Sequence, residues 1–415
     1  MYVRSLRIAN LRCFREAELE LQFPGREQES PPALSNVNLL LGDNGSGKTT
    51  VFKAIALAVL SRFLEGSGYV PYQLTRRETG GVQMEMASVD AGLLMHGQDQ
   101  GHFGNGIDSP SRSGSSGVRI GKVRDEEVLR ELYEESWLSS WKDEMYDEES
   151  PAFLLLGYGA TRWSTDASGS EPLPTQRKRR RLRYQRVAGI FEEHIPLVPL
   201  AAWLPRFAYG ERFQEIQGIV NDMLPEGTRF IGDLEKEEYL FEHCGITVPF
   251  GALSDGYRAY LGWITDLLYN MTLGCPAGTK LRDLKGVVLV DEVDLHLHPE
   301  WQRRVVPTIS QTLPNLQFVL STHSPIVAGT LSAKNIFVLE MDDSGASTVQ
   351  QLEENIHGLD ADQILLSSYF NLRSSRAPDA VDYLRQLSKR AMEGDPEAAR
   401  SFLETLAKGS EVPGR

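Results

Sequence analysis

Hydrophobic and polar positions alternate in two short segments near the start of the chain, residues 2–9 and 16–23, as expected for strands with one buried face. Three later segments are uninterrupted apolar runs, at residues 37–41, 287–290 and 318–320. A strand in the centre of a parallel sheet is covered on both faces, so it reads as such a run. The pattern therefore predicts an α/β fold with a mostly parallel central sheet and antiparallel strands at the N-terminus.

The composition changes after the first predicted helix, which spans residues 48–64. Residues 97–118 are crowded with Gly and Ser, which bury too little apolar surface to offset their ordering entropy, so a loop or a disordered segment is expected. Residues 125–149 contain eleven Asp or Glu and predict a solvated acidic helix, with a partner-binding tail as the alternative. The expected organisation is the N-terminal part of a head over 1–65, a helical and partly disordered insertion over 66–150, a strand with a helical and basic region over 151–250, the C-terminal part of the head over 251–340, and a helical tail over 341–415.

The chain is acidic overall, with 43 Lys or Arg against 57 Asp or Glu among 415 residues and a net charge of −14. This balance argues against a protein that coats nucleic acid with its whole surface. The segment 176–186 is a local exception, because seven of its eleven residues are Lys or Arg. It fits a contact to a DNA or RNA backbone, a solvated helix face, or a partner for the acidic segment, and these alternatives stay open.

Membrane and secretory features are not evident in the sequence. No apolar run reaches the ~18 residues that span a bilayer, and the first residues lack the apolar core of a signal peptide. The three cysteines, Cys13, Cys244 and Cys275, are too few and too scattered for a disulfide framework or a cysteine metal site. A cytoplasmic protein with reduced thiols and no membrane contact is expected.

The loop after the apolar run 37–41 fits the phosphate-binding pattern G-x-x-x-x-G-K-[ST] at every fixed position. Glycines let the backbone N–H groups turn toward an anionic phosphate chain, which the N-terminus of the following helix also favours. Lys48 would reach the β- and γ-phosphates of a nucleoside triphosphate, and the Thr49 hydroxyl would bind Mg²⁺. The predicted nucleotide-binding residues of this loop are Gly42, Asp43, Asn44, Gly45, Ser46, Gly47, Lys48, Thr49 and Thr50.

A pair of carboxylates, Asp291 and Glu292, follows the apolar run 287–290 directly. Open α/β sheets bind their ligands beyond the carboxyl ends of the strands, where this pair would lie. Asp291 is predicted to hold the Mg²⁺ shell. Glu292 is predicted to orient and activate the attacking water.

Two further segments accompany these motifs. Residues 253–257, L-S-D-G-Y, lead into a long apolar helix, and residues 321–325, S-T-H-S-P, follow the apolar run 318–320. A lone histidine at a strand end is usually satisfied by hydrogen bonds and has no further role. The order of the four motifs along the chain favours a functional role for His323.

The set of motifs resembles the ABC-type ATPases and, more narrowly, the RecF/SMC-related ATPases of DNA maintenance and phage defence, with the ATPases of the Septu and PARIS systems as the most similar groups. The run 291–302, D-E-V-D-L-H-L-H-P-E-W-Q, is especially specific to that branch. The resemblance covers most of the chain outside 66–150. It implies a P-loop NTPase fold with an ABC-type head, and ATP as the nucleotide.

The resemblance also implies an assembly, a homodimer that sandwiches ATP. Ser254 and the backbone of Gly256 would contact the γ-phosphate bound by the other subunit, and His323 would be the switch histidine in the same site as Lys48. Arg162 follows a short predicted strand at 153–156, in the place of the Q-loop of such ATPases, and is a candidate nucleotide contact.

Other polar patterns have simpler explanations. Asp255 in the signature segment suits a helix N-terminus and is expected to point away from a triphosphate. His296 and His298 form an H-x-H pair, but a zinc site needs further ligands, and none has a usable spacing. Asp360 and Asp362 resemble a nuclease D-x-D motif, yet they precede a predicted helix, where aspartates cap N–H groups.

The motifs favour an ATP-hydrolysing ABC-type ATPase. The resemblance implies that it dimerises on ATP and controls a separate nucleic-acid-directed partner, a nuclease, in phage defence or DNA maintenance. The first alternative is an ATP-clamped sensor or scaffold with little turnover, which the presence of Glu292 disfavours. The second is the ATPase subunit of a membrane transporter, which the altered signature and the long insertion disfavour.

Overall fold

The computed structural model describes residues 1–64, 67–78, 83–100, 112–124, 126–132, 150, 152–164, 182–193, 195–208, 210–275 and 278–408. Its two compact units are Met1–Gly358 and Leu359–Arg415. The strands are β1 Tyr2–Leu11, β2 Phe14–Glu20, β3 Val37–Gly42, β4 Met86–Met95, β5 Arg112–Val123, β6 Glu126–Glu131, β7 Leu155–Tyr158, β8 Trp163–Ser164, β9 Pro196–Leu197, β10 Thr228–Glu235, β11 Glu238–His243, β12 Ile246–Pro249, β13 Gly286–Val290, β14 Leu316–Ser321, β15 Ile336–Met341 and β16 Ser347–Gln350. The helices are α1 Lys48–Leu64, α2 Leu182–Gln185, α3 Ala188–Phe191, α4 Leu200–Trp203, α5 Glu211–Met223, α6 Asp255–Leu273, α7 Pro299–Thr312, α8 Pro325–Ala328, α9 Ala361–Leu366, α10 Pro378–Met392 and α11 Pro396–Lys408.

One sheet of eleven strands organises the first unit, in the order β6-β5-β4-β1-β2-β16-β15-β3-β14-β13-β7. Strands β15, β3, β14, β13 and β7 pair in parallel, and the strands from β6 to β2 pair antiparallel. Every residue of β13 and β14 is buried, which explains the apolar runs 287–290 and 318–320 within them. The predicted α/β fold, with a mostly parallel centre and antiparallel N-terminal strands, is confirmed.

Buried amide side chains connect the parallel strands to the N-terminal hairpin. Gln317 on β14 accepts a hydrogen bond from Val3 N (2.8 Å) and donates to Val3 O (2.7 Å) on β1. Asn38 on β3 accepts from Gln22 N (2.6 Å) and donates to Gln22 O (2.8 Å). Because each amide satisfies backbone groups that are out of reach of water, these bonds fix the hairpin against the centre of the fold.

The insertion differs from the expected loop or helix, because its described part contributes strands β4, β5 and β6 to the main sheet. The Gly- and Ser-rich stretch pairs along β4, where a Cβ on Gly117 would lie 2.7 Å from Val89 O. Its other face contacts helix α1, because Ser116 Oγ donates to Ala58 O at 2.7 Å. Composition indicated disorder here, whereas the small residues serve close packing. Residues 101–111 lie outside the described part.

The acidic segment begins as a strand, β6, and not as the predicted solvated helix. The carboxylate of Glu127 accepts hydrogen bonds from Leu74 N (2.8 Å) and Thr75 N (2.8 Å), so this acid has a structural partner. Residues 133–149 of the segment lie outside the described part.

A second, three-stranded antiparallel sheet is formed by β10, β11 and β12, in a region that the sequence suggested to be mostly helical. The turn between β10 and β11 places Lys236 and Glu237 in the left-handed region, at φ +49° and +67°. Turns of this kind are usually marked by Asn and Gly. The Lys-Glu pair gave no such signal, so the hairpin was not predicted.

The second unit consists of helices α9, α10 and α11 in its described part. The two closing helices match the predicted spans of about 378–392 and 396–408. Asp360 and Gln363 form a capping box at the start of α9, with Asp360 N donating to Gln363 Oε1 at 3.0 Å, which confirms the capping role expected for Asp360. None of the helices in the described residues is both long and apolar enough to cross a membrane.

Candidate functional site: a phosphate-binding loop and an Asp-Glu turn

The loop between β3 and α1 is organised around a buried lysine. Lys48 Nζ donates to the carbonyl oxygens of Gly42 (2.7 Å) and Asp43 (3.0 Å). Burial lowers the pKa of Lys48, and the carboxylates of Asp291 and Glu292 oppose this shift. The ammonium group is thus held at the first turn of α1, on carbonyl partners that phosphate oxygens could replace.

Gly47 precedes the helix at a position where no other residue fits. Its φ is +107°, and a Cβ on it would lie 2.7 Å from Cys13 Sγ and 2.8 Å from the ring of Phe14. The turn between β1 and β2 therefore packs directly against the loop. Gly45 also has a positive φ, +84°, but a Cβ there would have no atom within 4 Å.

The carboxyl end of β13 meets this loop through Asp291. Thr49 Oγ1 donates to Asp291 Oδ2 at 2.7 Å, and Ser321 Oγ donates to the other oxygen, Oδ1. Ser321 Oγ also accepts a hydrogen bond from Glu292 N at 2.8 Å. Thr49 lies in the helix that follows β3, Asp291 directly follows β13, and Ser321 ends β14. These residues meet because the three parallel strands end at one edge of the sheet.

Arg162 reaches the same turn from the loop after β7. Its guanidinium donates to the carbonyl oxygens of Gly159 (3.1 Å), Glu292 (2.6 Å) and Asp291. The sequence placed Arg162 near the nucleotide as a candidate contact. In the structure its terminal donors face the backbone of the Asp-Glu turn.

His323 lies on an exposed turn between two anchored residues. Thr322 Oγ1 donates to Asp294 Oδ1, and Ser324 Oγ donates to Gln302 Oε1 at 2.7 Å. His323 itself is exposed, so its ring is accessible at this edge of the sheet. The two anchors connect the histidine turn to the segment that follows Glu292.

The signature segment begins helix α6. Ser254 is exposed and occupies the N-cap position, but its side chain makes no capping hydrogen bond. Asp255 pairs with Arg258, one turn further along the same helix. A Cβ on Gly256 would lie 2.5 Å from His296 O, so the start of α6 packs on the turn after the Asp-Glu pair.

An open groove of about 370 Å³ lies beside the signature segment, in the first unit. His298 caps helix α7, accepting a hydrogen bond from Glu300 N at 3.3 Å. No cluster of three or more His, Cys, Asp or Glu that could hold a metal ion occurs among the described residues. The groove is lined in part by His243, Ser254, Tyr257, His296, His298 and Trp301.

The end of the basic segment 176–186 is buried in the head. Arg183 is 2% exposed, donates to Ala152 O, and stacks on Phe63 with its guanidinium 5.0 Å from the ring centroid. Arg186 is 5% exposed. These two arginines therefore do not offer a surface to a nucleic acid, and residues 177–181 lie outside the described part.

A protein-family model described as "AAA domain, putative AbiEii toxin, Type IV TA system" matches residues 37–328, from β3 through α8. The chain belongs to this AAA domain family. The matched span contains the phosphate-binding loop, the signature segment, the Asp-Glu pair and His323. The chain therefore contains a P-loop domain of the ATPase type, as the sequence predicted.

Two relatives of this AAA domain protein carry informative names. The Septu protein PtuA of Bacillus mycoides (strain KBAB4) is 23% identical over 421 residues, covering 99% of this chain and 51% of the relative. The "Retron Ec83 probable ATPase" of Escherichia coli is 42% identical over 88 residues, covering 21% of this chain and 16% of the relative. The chain thus spans about half the length of the Septu relative. The resemblance to the Septu ATPase is confirmed by the first match.

Among solved structures, the SMC head bound to the C-winged helix domain of ScpA aligns with a TM-score of 0.49 and 18% identity, over 85% of this chain and 98% of that one. The family assignment rests on the sequence match and not on this alignment.

Three residues that hold the site of the AAA domain were not predicted from the sequence. Ser321 Oγ hydrogen-bonds both the Asp291 carboxylate and Glu292 N. Asp294 accepts a hydrogen bond from Thr322 Oγ1, and Gln302 accepts one from Ser324 Oγ. Ser321 stands directly after an apolar run and two residues before His323, the one signal that would have singled it out.

Substitution of Gly47 with alanine should weaken nucleotide binding strongly. The new Cβ would overlap Cys13 and Phe14, and overpacking of this size commonly costs about 1–3 kcal/mol. The loop must bear this cost when it takes the conformation that binds ATP, so the Kd for ATP should rise about 5- to 150-fold. Isothermal titration would measure it. Gly25→Ala is the matched control, because Gly25 also has a positive φ, +79°, and open space around a Cβ, and it lies outside the phosphate-binding loop. Equal losses in both variants would contradict the packing argument.

Proposed function

We propose that this chain binds ATP with Mg²⁺ between the phosphate-binding loop and the Asp-Glu turn, and hydrolyses it. The observation that carries the proposal is the 2.7 Å hydrogen bond between Thr49 Oγ1 and Asp291 Oδ2. It brings a hydroxyl from the start of α1 and a buried carboxylate from the end of β13 to one point. Hard oxygen donors of this kind suit Mg²⁺, which takes few protein ligands and keeps water and phosphate oxygens for the rest.

The residues of the site divide the chemistry among them. The N-terminus of α1 and the loop N–H groups would bind the phosphates, and Lys48 would exchange its carbonyl partners for β- and γ-phosphate oxygens. Thr49 and Asp291 would hold Mg²⁺, which neutralises charge on the phosphates when bound. Glu292 would orient the attacking water and accept its proton, and His323 would contact the γ-phosphate from the exposed turn.

Glu292→Gln should keep ATP binding and lose most turnover, because the amide cannot accept the proton of the attacking water. Loss of a general base commonly costs about 10²-fold or more in rate. Lys48→Ala should instead lose ATP binding. Phosphate release and titration with ATP would separate the two effects, with the exposed Glu211→Gln as the neutral control. Hydrolysis by Glu292→Gln at the wild-type rate would show that the base is assigned wrongly.

We further propose that two copies of the chain close on ATP. Ser254 is exposed and leaves its hydroxyl out of the helix cap, so it is available to a phosphate outside its own helix. The N-terminus of α6, with its partial positive charge, begins at the same point. No hydrogen bond among the described residues joins Ser254 or Gly256 to the phosphate-binding loop of the same chain. A γ-phosphate held by a second copy is the ligand that fits these features.

ATP should therefore convert the Glu292→Gln protein from the 46.4 kDa chain to a species of twice that mass, because a site without turnover stays closed. Sedimentation velocity with and without ATP would measure this. Adding Ser254→Arg should abolish the larger species by placing a bulky cation in the interface, while the exposed Ser375→Arg should not. A Glu292→Gln protein that binds ATP yet keeps its mass unchanged would contradict the dimer.

The cycle is proposed to control a separate nucleic-acid-directed effector, a nuclease, in phage defence or DNA maintenance. This part is supported by the match to the Septu protein over nearly the whole chain. Any contact to DNA or RNA from the basic segment would belong to residues 177–181, because Arg183 and Arg186 are buried.

A further inference from the structure

Glu292 has an unusual backbone conformation for its residue type. It lies directly after the buried strand β13, and its φ is +48°, in the left-handed region that non-glycine residues seldom adopt. Such a conformation persists only where the surroundings hold it, and it is typical of functional sites. The contacts that hold this peptide segment therefore decide where the Glu292 side chain begins.

One set of contacts comes from Arg162, in the loop between β7 and β8. Its two terminal nitrogens donate to the carbonyl oxygens of Asp291 and Glu292, the latter at 2.6 Å, and one of them also donates to Gly159 O at 3.1 Å. A planar guanidinium can bind two successive carbonyls at once, which an ammonium group cannot do with the same geometry. Both carbonyls of the Asp-Glu turn are therefore fixed by one side chain.

The second set comes from the opposite side of the turn. Ser321 Oγ accepts from Glu292 N at 2.8 Å and donates to the carboxylate of Asp291. Strand pairing adds a third restraint, because Asp291 N donates to Tyr158 O at 2.8 Å at the end of β7. The peptide groups before and after Glu292 are thus held by residues from two neighbouring strands.

The charge of Arg162 is directed at the backbone and not at a single acid. It forms no ion pair within 4.0 Å among the described residues, although Asp291, Glu292 and Asp294 are near enough to favour its charged form. Burial lowers the pKa of Arg162 to about 10, so it remains protonated at neutral pH. Removing a guanidinium from water is unfavourable unless its donors are satisfied, and here carbonyl oxygens accept from both terminal nitrogens of Arg162, while Nε has no hydrogen-bond partner among the described residues.

We propose that Arg162 is a positioning residue for hydrolysis, which acts by holding the backbone of the Asp291–Glu292 turn so that Glu292 faces the attacking water. The proposal rests on the proposed ATPase function. It differs from a direct nucleotide contact, because both terminal nitrogens of Arg162 already bind the turn. The two roles predict different kinetics.

The test compares Arg162→Gln and Arg162→Lys with the wild type, measuring kcat, the Kd for ATP and the melting temperature. A positioning role predicts a loss of about 10²-fold in kcat, as for a small misplacement of a reacting group, with the Kd for ATP changed less than about threefold. The lysine variant keeps the positive charge but lacks the planar guanidinium that binds two carbonyls at once. The kcat of Arg162→Lys should therefore lie nearer to that of Arg162→Gln than to that of the wild type. Arg206→Gln, at an exposed arginine, is the matched control.

The double variant Arg162→Gln/Glu292→Gln gives the sharpest readout. If Arg162 acts through Glu292, the double variant should hydrolyse ATP no more slowly than Glu292→Gln alone, because the group being positioned is already missing. If the rate of the double variant falls by the product of the two single effects, the two residues act independently, as expected for a merely structural role of Arg162. That result would overturn the proposal.

Three other results would each overturn a different part of the proposal. A Kd for ATP raised tenfold or more with kcat unchanged would overturn the positioning role in favour of a nucleotide contact. An unchanged kcat in Arg162→Gln, with Glu292→Gln inactive, would overturn it while leaving the ATPase function standing. A wild-type protein without turnover would overturn the ATPase function and the positioning role together. If Arg162→Gln fails to fold, the lysine variant alone decides between these outcomes.

Discussion

The hydrogen bond between Thr49 and Asp291 is the contact on which the rest of the site depends. It joins residues 242 positions apart in the sequence, and it forms only because β3 and β13 run parallel on either side of β14. All carboxyl ends then lie at one edge of the sheet. The buried amides of Asn38 and Gln317 stabilise this centre by fixing the N-terminal hairpin to it. The sheet thus creates a single place where a phosphate chain and its cation could be bound.

The segments around this contact differ in how firmly the rest of the chain holds them. The loop and the Asp-Glu turn are held rigidly: Gly47 is packed against Cys13 and Phe14, and the Glu292 peptide is bound on both sides by Arg162 and Ser321. The signature segment is different, because Ser254 is exposed and its side chain is not used within its own helix. We infer that the rigid part binds and hydrolyses ATP, while the exposed part serves a second copy of the chain.

The sequence revealed the local features well. Continuous apolar runs identified the buried strands, and the fixed positions of the phosphate-binding loop identified Lys48 and Thr49, because both signals are short-range. The long-range contacts were not predictable. Glu127 looked like a solvated acid until the fold brought it to the backbone of Thr75, and the Gly- and Ser-rich stretch became strand β5 because α1 packs against it. Ser321 was missed for the same reason, since its two partners come from the neighbouring strand.

The central claim is that a complete ATP site needs two copies of the chain, and mixing two inactive variants tests it most directly. Ser254→Arg keeps the phosphate-binding loop intact, and Lys48→Ala keeps the signature segment intact, so a mixed dimer contains one complete site of two. Each variant alone should be inactive. Their mixture should recover up to about a quarter of the wild-type ATPase rate if the copies pair at random. An active Ser254→Arg protein at concentrations where it is monomeric, or a mixture that stays as inactive as its components, would contradict the account.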